Sequence, residues 1–190
     1  MNREQILQLL DDHQPIDDHE ARMLQEIKQF VRRYDVFAAR AQLAGHLTGS
    51  AWVVSEDHTH ALMTHHGKFN CWVQLGGHVE EDADMLSAAQ REACEESGLM
   101  KITPLSDQIF DVDVHAIPAN PKEPAHFHYD IRFLFVADRT VPLIVSSESK
   151  DVAWVELEKI SELTQEESVL RMVRKTMGQN RVRQRASLRD

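Results

Sequence analysis

The chain lacks the features that would tie it to a membrane or to an oxidising compartment. Its two cysteines, Cys71 and Cys94, are too few for a disulfide framework. The longest uninterrupted apolar runs, such as Phe133–Val136, fall far short of the roughly 20 residues that a membrane helix needs. The first residues show no basic start, apolar stretch and small-residue cleavage site of a secretory signal. These absences predict a soluble, cytoplasmic protein without a membrane partner.

The composition of the chain is typical of one globular domain with a short extension. It has 190 residues, of which 42% are hydrophobic and 27% are charged. This is enough apolar material for a core, and it excludes wholesale disorder.

Charge is unevenly distributed along the chain. The formal net charge is −10, but residues 171–190 carry +6, so residues 1–170 carry −16. Within the acidic part, residues 80–96 hold seven carboxylates and one arginine. Such a segment is either a solvated helix face or a site that repels phosphate esters unless a cation intervenes. The basic residues 181–189 lack interleaved aromatic residues, so we expect a solvated tail and no specific nucleic-acid partner.

Residues 1–40 predict a helical N-terminal extension. A short apolar cluster ends at Pro15, and Asp17 or Asp18 can cap a second helix whose apolar residues recur every three or four positions. A stripe of this kind usually packs on its own domain. It also offers an interface for a homodimer, so the oligomeric state stays open.

The rest of the chain mixes strand and helix patterns. Strands are predicted over residues 47–54 and 60–64, which form a hairpin, and over 70–75, 109–115, 127–135 and 151–155. A central helix is predicted over 85–97, with Asp84 as N-cap and Gly98 as a left-handed C-cap. A last helix is predicted over about 165–177, followed by a basic, frayed tail at 179–190. This order indicates an α+β domain with a mixed β-sheet between helices.

The central helix gathers negative charge on one face. Glu92, Glu95 and Glu96 are spaced at i, i+3 and i+4, so their carboxylates project within a single turn. Arg91 can pair with Glu95, which leaves Glu92 and Glu96 side by side. The small residues at positions 88, 89, 93 and 94 make the opposite face slim enough to lie close to a sheet. A hard divalent cation relieves the repulsion, and Mg²⁺ suits the site because it accepts carboxylates, waters and substrate phosphates.

The residues around this helix resemble the Nudix box. Gly76 and Gly77 let the backbone turn sharply before the helix, and a carbonyl there can complete a metal shell. The box pattern is Gly, five residues, Glu, seven residues, Arg-Glu, an apolar residue, any residue, Glu-Glu, any residue, Gly and an apolar residue. Residues 77–99 match eight of its nine defined positions. The chain thus resembles the Nudix hydrolase superfamily over roughly residues 45–178, which implies a Nudix-like α/β/α sandwich.

The resemblance also implies a role for the charged residues of the box. Glu92 and Glu96 are the expected metal ligands, and the Gly77 carbonyl joins them. Glu95 is a further ligand or the general base, and Arg91 orients the glutamates. Family members often add a carboxylate from a loop outside the box. The candidate here is Glu148, which can equally be an exposed loop residue. The expected cofactor is Mg²⁺, with Mn²⁺ as its substitute.

One position departs from the box. Ala83 stands where the pattern has its first glutamate. In the family that glutamate supports the loop and the helix and is not usually the principal metal ligand, so the core carboxylates remain intact. We expect Asp82 or Asp84 to substitute for it in part.

The histidines and one arginine are candidates for substrate contacts. His126 and His128 lie on a predicted strand and point to the same face as Arg132, which can contact a phosphate. Core packing is the alternative for both histidines. The chain has eleven histidines, but no pair shows ligand spacing with cysteine or carboxylate support, so no transition-metal site is expected.

Three aromatic residues are candidates for stacking on a nucleobase. They are Phe69, Trp72 and Tyr129. Packing in the core is the alternative for each of them, and the sequence favours it.

The predicted function is Mg²⁺-dependent hydrolysis of a phosphoanhydride bond in a nucleoside diphosphate linked to another moiety. Bound Mg²⁺ can neutralise phosphoryl oxygens and activate water, while a carboxylate takes the proton. Two alternatives stay open. One is a non-catalytic Nudix-like module that binds such a nucleotide, motivated by Ala83, and the other is a diphosphate isomerase of the same fold. The partner is a small nucleotide or another diphosphate that no sequence pattern identifies further.

Overall fold

The computed structural model describes residues 1–79, 81–121 and 123–187. Within those ranges the chain forms one mixed, curled sheet and five α-helices. The helices are α1 (Arg3–Asp12), α2 (Asp18–Arg33), α3 (Met85–Ser97), α4 (Ile160–Leu163) and α5 (Glu167–Ser187). The strands are β1 (Gly45–Ser55), β2 (His60–His66), β3 (Trp72–Val73), β4 (Leu75–His78), β5 (Thr103–Pro104), β6 (Asp111–Ile117), β7 (His126–Ala137) and β8 (Ser149–Glu156).

The long strand β1 organises the sheet. It pairs in parallel with β7 from Gly45 opposite Phe127 to Ser55 opposite Ala137, and it pairs antiparallel with β2 and β4. The predicted hairpin is confirmed by the pairing of Val54 with Ala61. The strands β6 and β8 extend the sheet by pairing antiparallel with β7 and β2.

Alternate residues of the sheet face two different layers. On one side, apolar residues of β1 and β7 such as Leu47 and Phe133 pack with α1, α2 and α3. On the other side, Trp52 and Leu134 pack with residues of α5 such as Met172. Helices therefore cover both faces of the sheet, and the predicted Nudix-like α+β sandwich with an N-terminal helical segment is confirmed.

The N-terminal helices belong to the main core. Ile6 and Leu10 of α1 and Ile27 of α2 are buried in the same apolar cluster as the sheet. Phe30 of α2 stacks on Tyr129 of β7 with ring centroids 3.9 Å apart. The apolar stripe of residues 1–40 thus packs on its own domain, as expected, and Tyr129 is a core residue.

The predicted helix ends are confirmed. The Asp17 side chain accepts a hydrogen bond from the Glu20 amide at 2.8 Å, and Asp84 accepts one from the Ser87 amide at 2.8 Å. Gly98 ends α3 with φ of 72°, a left-handed conformation that favours glycine.

Two segments differ from the sequence prediction. The strand expected over 70–75 is divided into β3 and β4, and β4 continues through Gly77 because both glycines pair with β1. Helix α5 continues past Gly178 to Ser187, where a frayed tail was expected. Contacts with the β1–β2 turn support this extension, since the Asn180 amide donates to the His58 carbonyl at 2.8 Å. Residues 188–190 of the expected tail lie outside the described residues.

Among the helices of the described residues, none combines the length and the apolar character that crossing a membrane requires.

Candidate metal and substrate site

Small residues bring α3 close to the sheet. Ala88 and Ala89 are fully buried, and they face Gly49 of β1. A Cβ added at Gly49 would lie 3.1 Å from the Met85 carbonyl oxygen and 3.2 Å from the Ala89 amide nitrogen. A larger residue at these positions would push the helix away. The predicted slim face of α3 is therefore confirmed, and it sets the distance between the helix and the neighbouring strand β4.

Glu96 of α3 is anchored to β4. Its carboxylate accepts a hydrogen bond from the Gly76 amide at 2.8 Å. Burial raises the pKa of Glu96 to about 7 against the opposing effect of this bond, and the charges of Glu92 and Glu148 act in the same direction as burial. A carboxylate with this pKa is a group whose charged form lacks sufficient solvation or countercharge.

Glu92 lies directly over the next glycine of β4. A Cβ added at Gly77 would lie 2.5 Å from the carboxyl carbon of Glu92, so any side chain at this position would displace the carboxylate. Burial raises the pKa of Glu92, although the neighbouring Arg91 acts to lower it. Gly76 therefore binds Glu96 through its amide, whereas Gly77 leaves the space that the carboxylate of Glu92 occupies.

The loop before β8 brings a third carboxylate to this place. Glu148 is exposed, and its carbonyl accepts a hydrogen bond from the Gly67 amide at 3.0 Å. Its charge contributes to the raised pKa of both Glu92 and Glu96. Glu148 is thus an exposed loop residue that lies near the glutamates of α3, and its role as a metal ligand stays a prediction.

Arg91 forms hydrogen bonds with both Glu92 and Glu95. Its Nη1 donates to Glu92 at 3.0 Å and to Glu95 at 3.1 Å, and its Nη2 donates to the His78 carbonyl at 2.9 Å. The predicted contact between Arg91 and Glu95 is therefore present. Glu95 differs from its neighbours because its side chain is 60% exposed. It faces solvent at the rim of the cluster.

The two aspartates beside Ala83 have separate tasks. Asp82 accepts hydrogen bonds from Nε of Arg91 at 3.2 Å and from its Nη2 at 2.9 Å. Asp84 caps α3 and is exposed. Of the two, Asp82 is therefore the carboxylate that supports a residue of the box by direct contact, while Asp84 supports the helix itself.

A cavity of about 400 Å³ opens beside the carboxylates. Gly76, Gly77 and Glu96 line one part of it, and residues from β1, β2, β3, β6, β7 and the start of α5 line much of the rest. Phe69 lies in its wall and is 39% exposed. The cavity therefore has a carboxylate, Glu96, and an aromatic ring, Phe69, in its wall.

Arg132 also lines the cavity, but its charge is already matched. It is 2% exposed, and its three nitrogen atoms donate to Asp130 at 2.7 Å and to Asp111 and Asp113 at 3.3 Å each. Burial acts to lower the pKa of Arg132, but the charges of these carboxylates raise it, and their hydrogen bonds occupy its donor groups. Arg132 does share a face with His128, as expected. Its contact with a phosphate stays a prediction, and it is opposed by the three aspartates.

The remaining substrate candidates lie apart from the cavity wall. Trp72 stacks on His65 with ring centroids 5.1 Å apart and packs against the apolar cluster on the α5 side of the sheet. His128 lies among other histidines. Of the predicted substrate residues, the structure thus brings Phe69 and Arg132 to the cavity but not Trp72 or His128.

No transition-metal site was expected from the sequence, yet the structure brings three histidines close enough together to hold a metal ion. The ligating atoms of His46, His78 and His128 lie within 4.8 Å of one another. The three residues come from β1, β4 and β7, so no local spacing links them. The abundance of histidine was the only signal in the sequence, and it did not identify these three.

The acidic group fits a hard divalent cation. Glu92, Glu96 and Glu148 offer oxygen donors, and burial raises the pKa of the first two, with the charge of Glu148 acting in the same direction. Oxygen donors of this kind are preferred by Mg²⁺, which also retains waters that a phosphate can replace. The residues therefore suit Mg²⁺, whose binding stays a prediction.

Comparisons with known proteins agree with this arrangement. The family model described as NUDIX domain matches residues 46–175, which include β1, the glutamate-bearing helix α3 and β8. A search of curated proteins gave no match.

Several solved structures share the fold at low sequence identity. A Caenorhabditis elegans Ap4A hydrolase in a binary complex has a TM-score of 0.54 and 19% identity, covering 70% of this chain and 95% of that one. The Escherichia coli dihydroneopterin triphosphate pyrophosphohydrolase has a TM-score of 0.52 and 16% identity, covering 67% and 91%. The NUDIX domain of Shewanella oneidensis NrtR complexed with ADP ribose has a TM-score of 0.52 and 15% identity, covering 80% and 96%.

These structures establish a common fold, and the family model covers more than half of the chain. The enzyme class predicted from the sequence, a Nudix hydrolase acting on acid anhydrides, is the class that the family match supports. By this match, and by the glutamates that the fold gathers around Gly76 and Gly77, the chain belongs to the NUDIX domain family.

Proposed function

We propose that this protein hydrolyses a phosphoanhydride bond in a nucleoside diphosphate linked to another moiety, and that it requires Mg²⁺, which Mn²⁺ can replace. One observation carries the proposal. Glu96, with a pKa that burial and the charges of Glu92 and Glu148 raise to about 7, lies in the wall of a nucleotide-sized cavity. A protein that only needed a stable helix would not gain from this repulsion.

The metal would be held by oxygen donors of α3, β4 and the loop before β8. We assign Glu92, Glu96 and the Gly77 carbonyl to it, with Glu148 as the additional ligand. When bound, Mg²⁺ supplies charge neutralisation on the phosphoryl oxygens and activation of a water.

Residues of the chain itself would orient the carboxylates and accept the proton of the attacking water. Arg91 holds Glu92 and Glu95 from the same Nη1 atom and so keeps their carboxylates on one side of α3. Glu95 is open to solvent, and one of its oxygens can accept a proton from a water, which makes it the general base or a further ligand. Phe69 offers an exposed ring on which a nucleobase can stack.

A non-catalytic binding module is the second candidate. The observation that favours it is Ala83, since one defined position of the box is changed. Asp82 weakens this argument because it contacts Arg91 from the adjacent position. A diphosphate isomerase has no comparable observation in its favour.

A substrate panel tests the proposal. ADP-ribose, nucleotide sugars, dinucleoside polyphosphates, NADH and nucleoside triphosphates are assayed for release of phosphate or nucleotide, each in Mg²⁺ and in EDTA. We expect Mg²⁺-dependent turnover of at least one diphosphate-linked nucleotide. Glu92→Gln and Glu96→Gln should abolish it, while Glu162→Gln, an exposed change on α4, should not.

The outcomes separate the two candidates. No turnover of any member, together with ligand binding that is equal in the wild type and in Glu96→Gln, would favour the binding module. Full activity in both Glu92→Gln and Glu96→Gln would defeat the assignment of metal ligands.

A further inference from the structure

Three histidines form a second group of potential ligands outside the acidic site. His46 of β1 pairs in register with His128 of β7, and His78 of β4 pairs with Thr48, two residues along β1. Residues two apart on a strand face the same side of the sheet. The ligating atoms of the three rings lie within 4.8 Å of one another.

His46 lacks the hydrogen bonds that a buried imidazole needs. It is 2% exposed, and within the part of the chain that the structure describes, neither ring nitrogen has a hydrogen-bond partner. Its ring lies 4.9 Å from that of His78 and 4.8 Å from that of His128, measured between centroids. A buried polar ring without a partner is unfavourable, so a ligand that binds one of its nitrogens would remove the cost.

A fourth histidine has one of its nitrogens directed at the same group. His126 is 8% exposed, and its Nδ1 lies 2.8 Å from the Pro124 carbonyl oxygen. A carbonyl can only accept, so Nδ1 carries the proton and the Nε2 of the neutral ring presents its lone pair. That Nε2 lies 3.3 Å from the Nε2 of His128. Metal-bound imidazoles are commonly fixed by a carbonyl in this way.

We propose that His46, His78 and His128 bind a divalent transition-metal ion of the Zn²⁺ class. Imidazole nitrogens suit Zn²⁺, and three of them leave a fourth position for a water or for His126. Zn–N distances of about 2.0–2.1 Å place neighbouring ligand atoms roughly 3.3 Å apart in a tetrahedron. The spacing of His126 and His128 already has this value, and the ligating atoms of His46, His78 and His128, which lie within 4.8 Å, would have to move closer together on binding.

The metal would clamp the sheet next to the box. It would join β1, β4 and β7 at the end of the sheet where β4 leads to α3. The His78 carbonyl accepts the hydrogen bond from Nη2 of Arg91, so fixing His78 also fixes one anchor of that arginine. The donors are nitrogens here and carboxylate oxygens in the acidic group, so Mg²⁺ does not compete for this site.

Metal titration of the full chain tests the proposal. After treatment with EDTA and its removal, Zn²⁺ is titrated against a chromophoric competitor, and Co²⁺ is added separately to record visible absorption. We expect one tight Zn²⁺ per chain and the intense Co²⁺ bands of a tetrahedral site. His46→Gln and His128→Gln should each weaken Zn²⁺ binding at least about tenfold. His60→Gln on β2, outside the group, should leave it unchanged.

Two further measurements keep the result independent of folding and of the acidic site. In the unmodified protein, Zn²⁺ should shift the imidazole nitrogen resonances of His46, His78 and His128 but not that of His60. Glu96→Gln should bind Zn²⁺ as the wild type does. Zn²⁺ binding that is lost in Glu96→Gln, or that leaves the three imidazole signals unmoved, would overturn the proposal without affecting the proposed hydrolase.

Discussion

The molecule has one group of carboxylates on strands of the sheet and another on α3 and the loop before β8, and the two groups differ in the source of their countercharge. Asp111, Asp113 and Asp130 surround Arg132, and Arg171 of α5 donates to Asp111 at 2.7 and 2.8 Å. Burial acts to raise the pKa of Asp113, but a bond from His115 and the charge of Arg132 lower it to about 2. In the acidic group of α3, burial raises the pKa of Glu96 to about 7.

The source of the countercharge distinguishes a group that stabilises the fold from a group that suits a cation from solution. The aspartate network, defined as Asp111, Asp113 and Asp130 with their arginines, contains its own cations. The glutamate group, defined as Glu92, Glu96 and Glu148, has only partial compensation because Arg91 reaches Glu92 while Glu96 bonds to an amide. Carboxylates thus stabilise the fold where their cations are side chains of the same chain, and under the proposed function the glutamate group would take its cation from solution.

Removing the cation of the aspartate network should have the largest effect. In Arg132→Met, three buried carboxylates lose their common partner, so the free energy of unfolding should fall by about 3–5 kcal/mol. Urea denaturation followed by circular dichroism measures this. Arg139→Met is the control, because Arg139 is half-exposed and its ion pair with Asp57 spans 3.7 Å. A loss for Arg132→Met no greater than that of the control would contradict the account of the network.

Neutralising Glu96 should reduce activity without reducing stability, in contrast to the loss of stability expected for Arg132→Met. Glu96→Gln removes a poorly solvated charge but keeps an oxygen that accepts from the Gly76 amide, so metal-free stability should be unchanged or higher. Mg²⁺-dependent turnover should fall at least about 100-fold, which is about 2.7 kcal/mol of transition-state stabilisation. Thermal unfolding in EDTA and initial rates in Mg²⁺ measure the two effects. A variant that loses stability and keeps its rate would reverse the distinction between the groups.

Local rules explain why the glutamate group could be predicted from the sequence. The N-cap Asp84, the C-cap Gly98 and the spacing of the glutamates all lie within one helix, where spacing determines which side chains share a face. The two glycines before the helix belong to the adjacent strand. Contacts with Glu148 depended on a loop far along the chain, which the sequence offered only as one of two alternatives.

Long-range sheet pairing explains what the sequence did not show. The parallel pairing of β1 with β7 brings His46 beside His128, and β6 brings two aspartates to Arg132. The register between distant strands is set by the whole sheet, so it cannot be predicted from the spacing of residues within one segment. Arg132 therefore seemed available for a phosphate, and the histidine group was missed.

The pH dependence of stability should distinguish the two groups without any change of fold. The folded-state pKa of Glu96 is about 7 and its ordinary value is 4.5, so the folded chain binds the proton more tightly. In EDTA, the wild type should gain about 1–2 kcal/mol relative to Glu96→Gln as the pH falls from 7.5 to 5. The contribution of Asp113 to stability changes in the opposite direction as the pH falls, because it is present above pH 3.8 and is lost toward pH 2. Urea unfolding at pH 5, 6 and 7.5 measures the Glu96 effect, and equal slopes in wild type and variant would refute it.

The smallest effect concerns the two aspartates that flank Ala83. It tests whether Asp82 is needed to hold Arg91, the arginine that contacts Glu92 and Glu95. Asp84→Ala removes the cap of α3 and should cost about 1 kcal/mol of stability. Asp82→Ala removes a two-point contact with Arg91, which keeps its bonds to Glu92, Glu95 and the His78 carbonyl. Its turnover should therefore fall about tenfold, or about 1.4 kcal/mol. Urea unfolding of Asp84→Ala measures the loss of the cap, and Mg²⁺ titrations of the rate in both variants measure the effect on activity. Wild-type Mg²⁺ affinity and turnover in both would show that neither aspartate replaces the missing glutamate.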